Sequence, residues 1–187
     1  MGGTLAVAEA LAKKAKGPRS AQFFTWVMGL VIFFDDYANS LTVGPIMRPV
    51  TDRMRVSREK LAFIIYATAA PIAGIALIST WVAYEVGLIK DGFEQIGIQM
   101  NAYGAFVETI PYRFYNIFIL FFVLAGIMLL REYGPMYKAE ERARKHGKVL
   151  ADNASPMASE ETTQLEPGAH VVPSIWNAII PIGTLIV

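Results

Sequence analysis

The chain reads as an all-α polytopic membrane protein, a re-entrant helical hairpin joined to transmembrane helices. Three observations predict this. Of the 187 residues, 54% are hydrophobic and 18% charged, and mean hydropathy is +0.39, too apolar for a soluble domain of this size. The apolar residues fall in blocks: Leu61 to Ile89 contains one ionised side chain, Glu85, and Tyr112 to Leu130 contains only Arg113. As a helix the second block would rise about 28 Å, close to the hydrocarbon thickness of a bilayer. Finally, Lys and Arg cluster at 13–19, 48–60 and 131–148, whereas 90–111 sets Lys90 against Asp91, Glu94 and Glu108.

The elements follow in order. Residues 1–20 form a basic lead-in helix with no signal-peptide pattern, on the cytoplasmic side by the positive-inside rule. If 21–46 crossed the membrane once, the basic clusters on either side of it would lie on opposite faces. A re-entrant hairpin resolves the conflict: two arms of about 12 residues, each rising about 18 Å, reach the bilayer interior and return to the same face. The tip then holds Asp35, Asp36, Tyr37, Ala38 and Asn39, and a basic loop completes residues 21–60. Residues 61–130 are two transmembrane helices with an acidic external loop at 90–111. Pro71 and Gly74 place either a break or a kink near 70–74 of the first span. Thr109-Ile110-Pro111 caps the second, and Tyr112, Tyr115, Tyr133 and Tyr137 suit the interfacial belts. Residues 131–170 are a charged helix and a polar flexible linker, cytoplasmic by the same rule. Residues 171–187 are the start of a further membrane segment, which makes the chain a fragment of a larger protein.

Composition excludes several classes. A net charge of +1 implies no nucleic-acid partner, and the absence of cysteine leaves no disulfide framework or thiolate metal site. His146 and His170 fall in charged or polar stretches and are poor ligands. The feature that points to chemistry is Asp35-Asp36, entered directly from the apolar run Phe23 to Phe34. One carboxylate at membrane depth costs several kcal/mol or forces protonation, and a second beside it opposes the ionisation of the first. Trading a proton for a cation is the simplest use of such a pair. In a helix Asp36, Asn39 and Ser40 share a face, and all present the oxygen that a small hard cation requires. Asp35, Asp36, Asn39 and Ser40 are therefore the candidate ion ligands, with the first three holding a transported sodium ion. The competing reading is a helix-capping cluster at a membrane surface. Thr42, Arg48, Thr68, Ser79 and Thr80 are supporting candidates, and Glu85 is divided between site and snorkelling surface. The remaining charges at 52–59 read as a solvated loop with local ion pairs.

Enzymatic readings fail on their motifs. Asp-Asp-Tyr-Ala-Asn matches half of the Asp-Asp-x-x-Asp magnesium-diphosphate motif, with Asn39 in place of the last acid and no second acidic motif in a span. An intramembrane aspartyl protease needs aspartates on two helices, one after Gly-x-Gly, which is missing.

The run Gly29 to Gly44, then Met47-Arg48-Pro49, Asp52, Ser57-Arg58-Glu59-Lys60-Leu61, Thr68-Ala69-Ala70-Pro71, Ser79-Thr80-Trp81, Ile110-Pro111-Tyr112 and Gly134-Pro135-Met136 resembles the NhaC-type sodium/proton antiporters. The resemblance covers residues 1–145. It departs at Phe63 to Ala67, where a more polar residue is expected. It implies an inner-membrane secondary transporter of the ion-transporter superfamily, built as an inverted repeat of two related halves with re-entrant hairpins. Relatives exchange organic anions, so a sodium- or proton-coupled malate or lactate exchanger is the alternative, with Arg48 or Arg113 in the cavity. A non-transporting membrane assembly module is the alternative of another class. No cofactor is expected beyond the transported sodium and protons, and the expected partners are the lipid bilayer, the second half of the same protein and a second copy in a homodimer.

Overall fold

A computed structural model describes residues 13–154 continuously, together with Ala6, Ala10, Leu11, Ser174, Trp176, Asn177, Ile180 and Thr184. Most of the 151–170 linker and of the 171–187 segment lies outside the described residues. The regular elements among the described residues are helices, with no strand among them. Among the described residues seven α-helices are complete: α1 Pro18–Val31, α2 Asp36–Arg53, α3 Arg58–Ile75, α4 Thr80–Gln95, α5 Ala102–Thr109, α6 Phe114–Leu129 and α7 Gly134–His146, with a short 3₁₀ turn at Ile110–Tyr112.

Local chemistry sets the boundaries. Pro18 opens α1 in the first-turn position where a missing N–H costs nothing. Asp35, Ser57, Ser79 and Asn101 each accept a backbone N–H from three residues on, at 2.8–3.1 Å, and so start α2, α3, α4 and α5. Leu130 (φ 50°) ends α6 and Gly147 (φ 70°) ends α7 in the left-handed conformation that releases a helix.

α3 is the central helix and packs against α1, α2, α4, α6 and α7. One core joins Ala21 and Ile32 to Val43, Ile46, Met47 and Val50 of α2 and Leu61 and Ile65 of α3. A second joins Ile64 and Ala67 to Val123 and Ile127 of α6, with Trp26 packed against it. α1 and α2 double back on one another at residues 32–35, and Asn39 closes the turn by donating from Nδ2 to the Gly29 and Ile32 carbonyls at 2.6 and 2.8 Å. Those carbonyls are among the last of α1, which a helix cannot satisfy itself.

The stretch Phe114–His146, whose apolar part is α6, is long and apolar enough to cross a membrane, and so are α3 and α4 together as a pair bent by 44°. Phe118, Phe121 and Phe122 project outward from α6 at 52–66% exposure, an apolar surface that needs lipid or protein around it.

The structure redraws several boundaries. The first long span breaks at Ala76–Ser79, not at 70–74, and Pro71 stays inside α3. The reason lies in Ser79, whose hydroxyl accepts from Val82 N–H at 3.0 Å and donates to the Ala73 carbonyl at 2.7 Å. One side chain thus satisfies the end of one helix and the start of the next. The stretch 90–111 is largely helical, holding the end of α4 and all of α5, and only 96–101 is loop. The second hairpin arm is longer than expected: α2 continues through Pro45 and Pro49 to Arg53, so the basic loop shrinks to four residues.

Candidate ion-binding site

The two helix breaks meet. Asp35 is the N-cap of α2, its Oδ1 accepting from Ala38 N–H at 2.8 Å. Its Oδ2 accepts from the Thr80 hydroxyl at 2.9 Å, and Thr80 N–H donates to the Phe34 carbonyl at 2.9 Å. One residue further on in both segments, Trp81 Nε1–H donates to Asp36 Oδ1 at 3.0 Å. The first turns of α2 and α4 are therefore stitched together through both carboxylates. Asp35, Asp36, Tyr37, Thr80, Trp81 and Tyr84 line an open cleft of about 420 Å³, and no Lys, Arg or His is among them.

Each helix N-terminus carries about half a positive charge, so two of them set against two carboxylates leave the cleft near −1. A single monovalent cation, or a single proton, would neutralise it. Hydroxyl and carboxylate oxygens are the right donors for a hard cation such as sodium. Among the described residues no group of three His, Cys, Asp or Glu side chains could hold a resident metal.

Of the predicted residues, the structure brings Asp35, Asp36 and Thr80 together. Asp35 also performs the capping role that was its competing reading. Ser79 stands beside the cleft as the N-cap of α4. Asn39 is fully buried and faces the end of α1 instead of the cleft; its Oδ1 has no partner. Ser40 lies on the exposed surface of α2 and Thr42 is half-buried beyond it, neither lining the cleft. Thr68 is buried against Gly29, and its hydroxyl donates to the Ile64 and Ile65 carbonyls. Arg48 sits on α2 about 18 Å along the axis from Asp36, out of reach of the aspartates. Arg113 is engaged with both oxygens of Glu85 and stacks over Phe106 at 4.8 Å. The helical spacing that grouped Asp36, Asn39 and Ser40 was sound, but α1 takes one edge of that face and solvent the other.

Trp81, Tyr84 and Tyr37 were not singled out as site residues. Tyr37 follows the aspartates directly, and the run Ser79-Thr80-Trp81 beyond a possible break was the available signal for the rest. Ser79→Ala removes both the α4 cap and the bond to Ala73, and should cost about 1–2 kcal/mol. A thermal melt of the detergent-purified protein checks this.

An acidic, base-free cleft at paired helix breaks suits a cation. The family comparison agrees: the Na+/H+ antiporter family profile matches residues 72–187, and the chain belongs to that family. The match takes in Ser79, Thr80 and Trp81 but begins after the two aspartates. An uncharacterized protein of Haemophilus influenzae is 34% identical over all 187 residues, and the chain spans 33% of its length. No solved structure matches the chain.

Proposed function

We propose that this segment forms part of an NhaC-type secondary transporter of the inner membrane, exchanging sodium for protons through the Asp35–Asp36 cleft. The observation that carries the reading is the convergence of both carboxylates and the Thr80 hydroxyl in one base-free cleft at two helix breaks. Discontinuous helices are where secondary transporters place their ion sites, near the midplane, because helix ends leave backbone groups available there. Here α1 and α2 are the arms of the re-entrant hairpin, 131–170 is cytoplasmic, and the remainder of the protein closes the other side of the cleft.

In the proton-loaded state the Asp35–Asp36 pair carries one proton. Sodium entering from one side replaces it, with Asp35, Asp36 and Thr80 supplying oxygens. Asn39 supports the site from behind by holding the end of α1 in place. Both loaded forms leave the cleft near neutral, whereas the empty form is charged and costly to move past an apolar barrier.

Everted vesicles containing the intact protein provide the test. Sodium is expected to collapse a preformed proton gradient, malate is not, and Asp35→Asn with Asp36→Asn should reduce the sodium response to background. A sodium response that survives the double substitution would overturn the site. A response to malate alone would assign the protein to carboxylate exchange.

A further inference from the structure

The two donors on the aspartates differ in what they can do when a cation arrives. The Thr80 hydroxyl has lone pairs and can turn to ligate the ion, whereas the Trp81 indole N–H is a donor only and has nothing to offer it. A sodium ion coordinated by Asp36 Oδ1 competes with the indole N–H for that oxygen and weakens the bond seen here at 3.0 Å. Trp81 lies in the first turn of α4, immediately after the break at Ala76–Ser79 where α3 and α4 bend by 44°. It is 41% exposed, so the indole has room to leave.

Beyond its first turn α4 packs mainly against the short helix α5. Val82 is its one buried side chain, and besides the cleft bonds its long-range side-chain tie is Glu85 to Arg113. The titratable groups facing Asp36 across the cleft are Asp35, Tyr37 and Tyr84. None of them donates a positive charge that could replace the indole as partner.

We infer that Trp81 is a positioning residue that couples ion occupancy of Asp36 to the placement of α4: it holds α4 against α2 while Asp36 is empty and lets go when sodium binds. This rests on the sodium-binding reading of the cleft and adds the element that responds to it. The Thr80 N–H bond to the Phe34 carbonyl does not involve the ion, so α4 pivots about its N-terminus instead of dissociating.

Tryptophan emission of the intact purified protein, titrated with sodium chloride against choline chloride at equal ionic strength, tests the inference alongside the vesicle flux. The expected result is a saturable sodium-dependent change in emission that Trp81→Phe and Asp36→Asn each abolish and that Trp26→Phe and Trp176→Phe leave in place. Without the indole, Asp36 loses a donor that competes with sodium, so in Trp81→Phe the half-saturating sodium concentration for flux should fall about three- to tenfold, the effect of one partly exposed hydrogen bond to a charged group. Sodium-driven flux with no emission change, an emission change that survives Trp81→Phe, or a half-saturating concentration that does not fall would each overturn the inference and leave antiport standing. Absence of sodium-driven flux in the wild-type protein would overturn both.

Discussion

Replacing Glu132 by Leu, or Lys60 by Met, is expected to lower stability by about 3–5 kcal/mol, because each leaves a buried charge without its counter-ion. Lys60 is 1% exposed and its ammonium lies 2.8–2.9 Å from the Glu132 carboxylate. It also sits over the Phe63 ring at 5.2 Å, while the lack of a side chain at Gly126 leaves room beside it. Taking both charges out of water is costly, so the double variant Lys60→Met/Glu132→Leu should recover most of the loss or exceed it. Thermal unfolding of the three variants in detergent reads this directly. Two single variants within about 1 kcal/mol of wild type would mean that water reaches the pair, as at exposed bridges. The pair has a place in the architecture: Leu130 turns the chain at the end of α6 so that Glu132 returns to the base of α3. Beside it Glu140 accepts from Ser57 N–H at 2.8 Å and Arg142 grips Glu59 at 2.8–2.9 Å, latching α7 beneath the bundle.

Gly29→Ala should be nearly as damaging. A Cβ at Gly29 would stand 2.2 Å from Thr68 Oγ1 and 2.8 Å from Thr68 Cβ, separations that no side-chain adjustment accommodates. Thr68 is β-branched and its hydroxyl is held by the Ile64 and Ile65 carbonyls, so α1 and α3 must move apart. Overpacking of this kind costs about 1–3 kcal/mol, at the upper end where neither backbone can yield. Asn39 is anchored to the Gly29 carbonyl, so the displacement also reaches the turn that carries Asp35. Thr68→Gly in the Gly29→Ala background removes both clashing atoms and should restore the melting temperature, whereas Thr68→Ala leaves the Cβ contact and should restore less.

The helical, apolar character of the chain was legible in its hydropathy blocks, and the N-caps at Asp35, Ser57, Ser79 and Asn101 are short-range signals of the kind local spacing carries. Asp35 and Asp36 announced themselves because two acids after twelve largely apolar residues have few inexpensive explanations. Their partners did not. Thr80 and Trp81 lie 45 residues away, and nothing in local spacing says which of the later helix breaks returns to the first. Lys60 counted only as one member of the basic cluster at 48–60, since a buried lysine is recognisable only once its distant glutamate is in place. Of the break or kink expected near Pro71, the break lies instead at Ala76–Ser79, because proline marks where a helix yields, while the capping hydroxyl of Ser79 decides where it ends.

The sequence by itself determined the class: helices, apolar blocks of membrane length, and an acidic pair that must be used or neutralised. Those follow from composition, period and the cost of charge in an apolar medium, all local properties. Only the tertiary structure decided that Asp35 and Asp36 face Thr80 and Trp81 while Asn39, Ser40, Thr42, Thr68 and Arg48 do not line that cleft. Helix faces are fixed by periodicity, but which neighbour covers each face is set by packing among segments far apart in the chain.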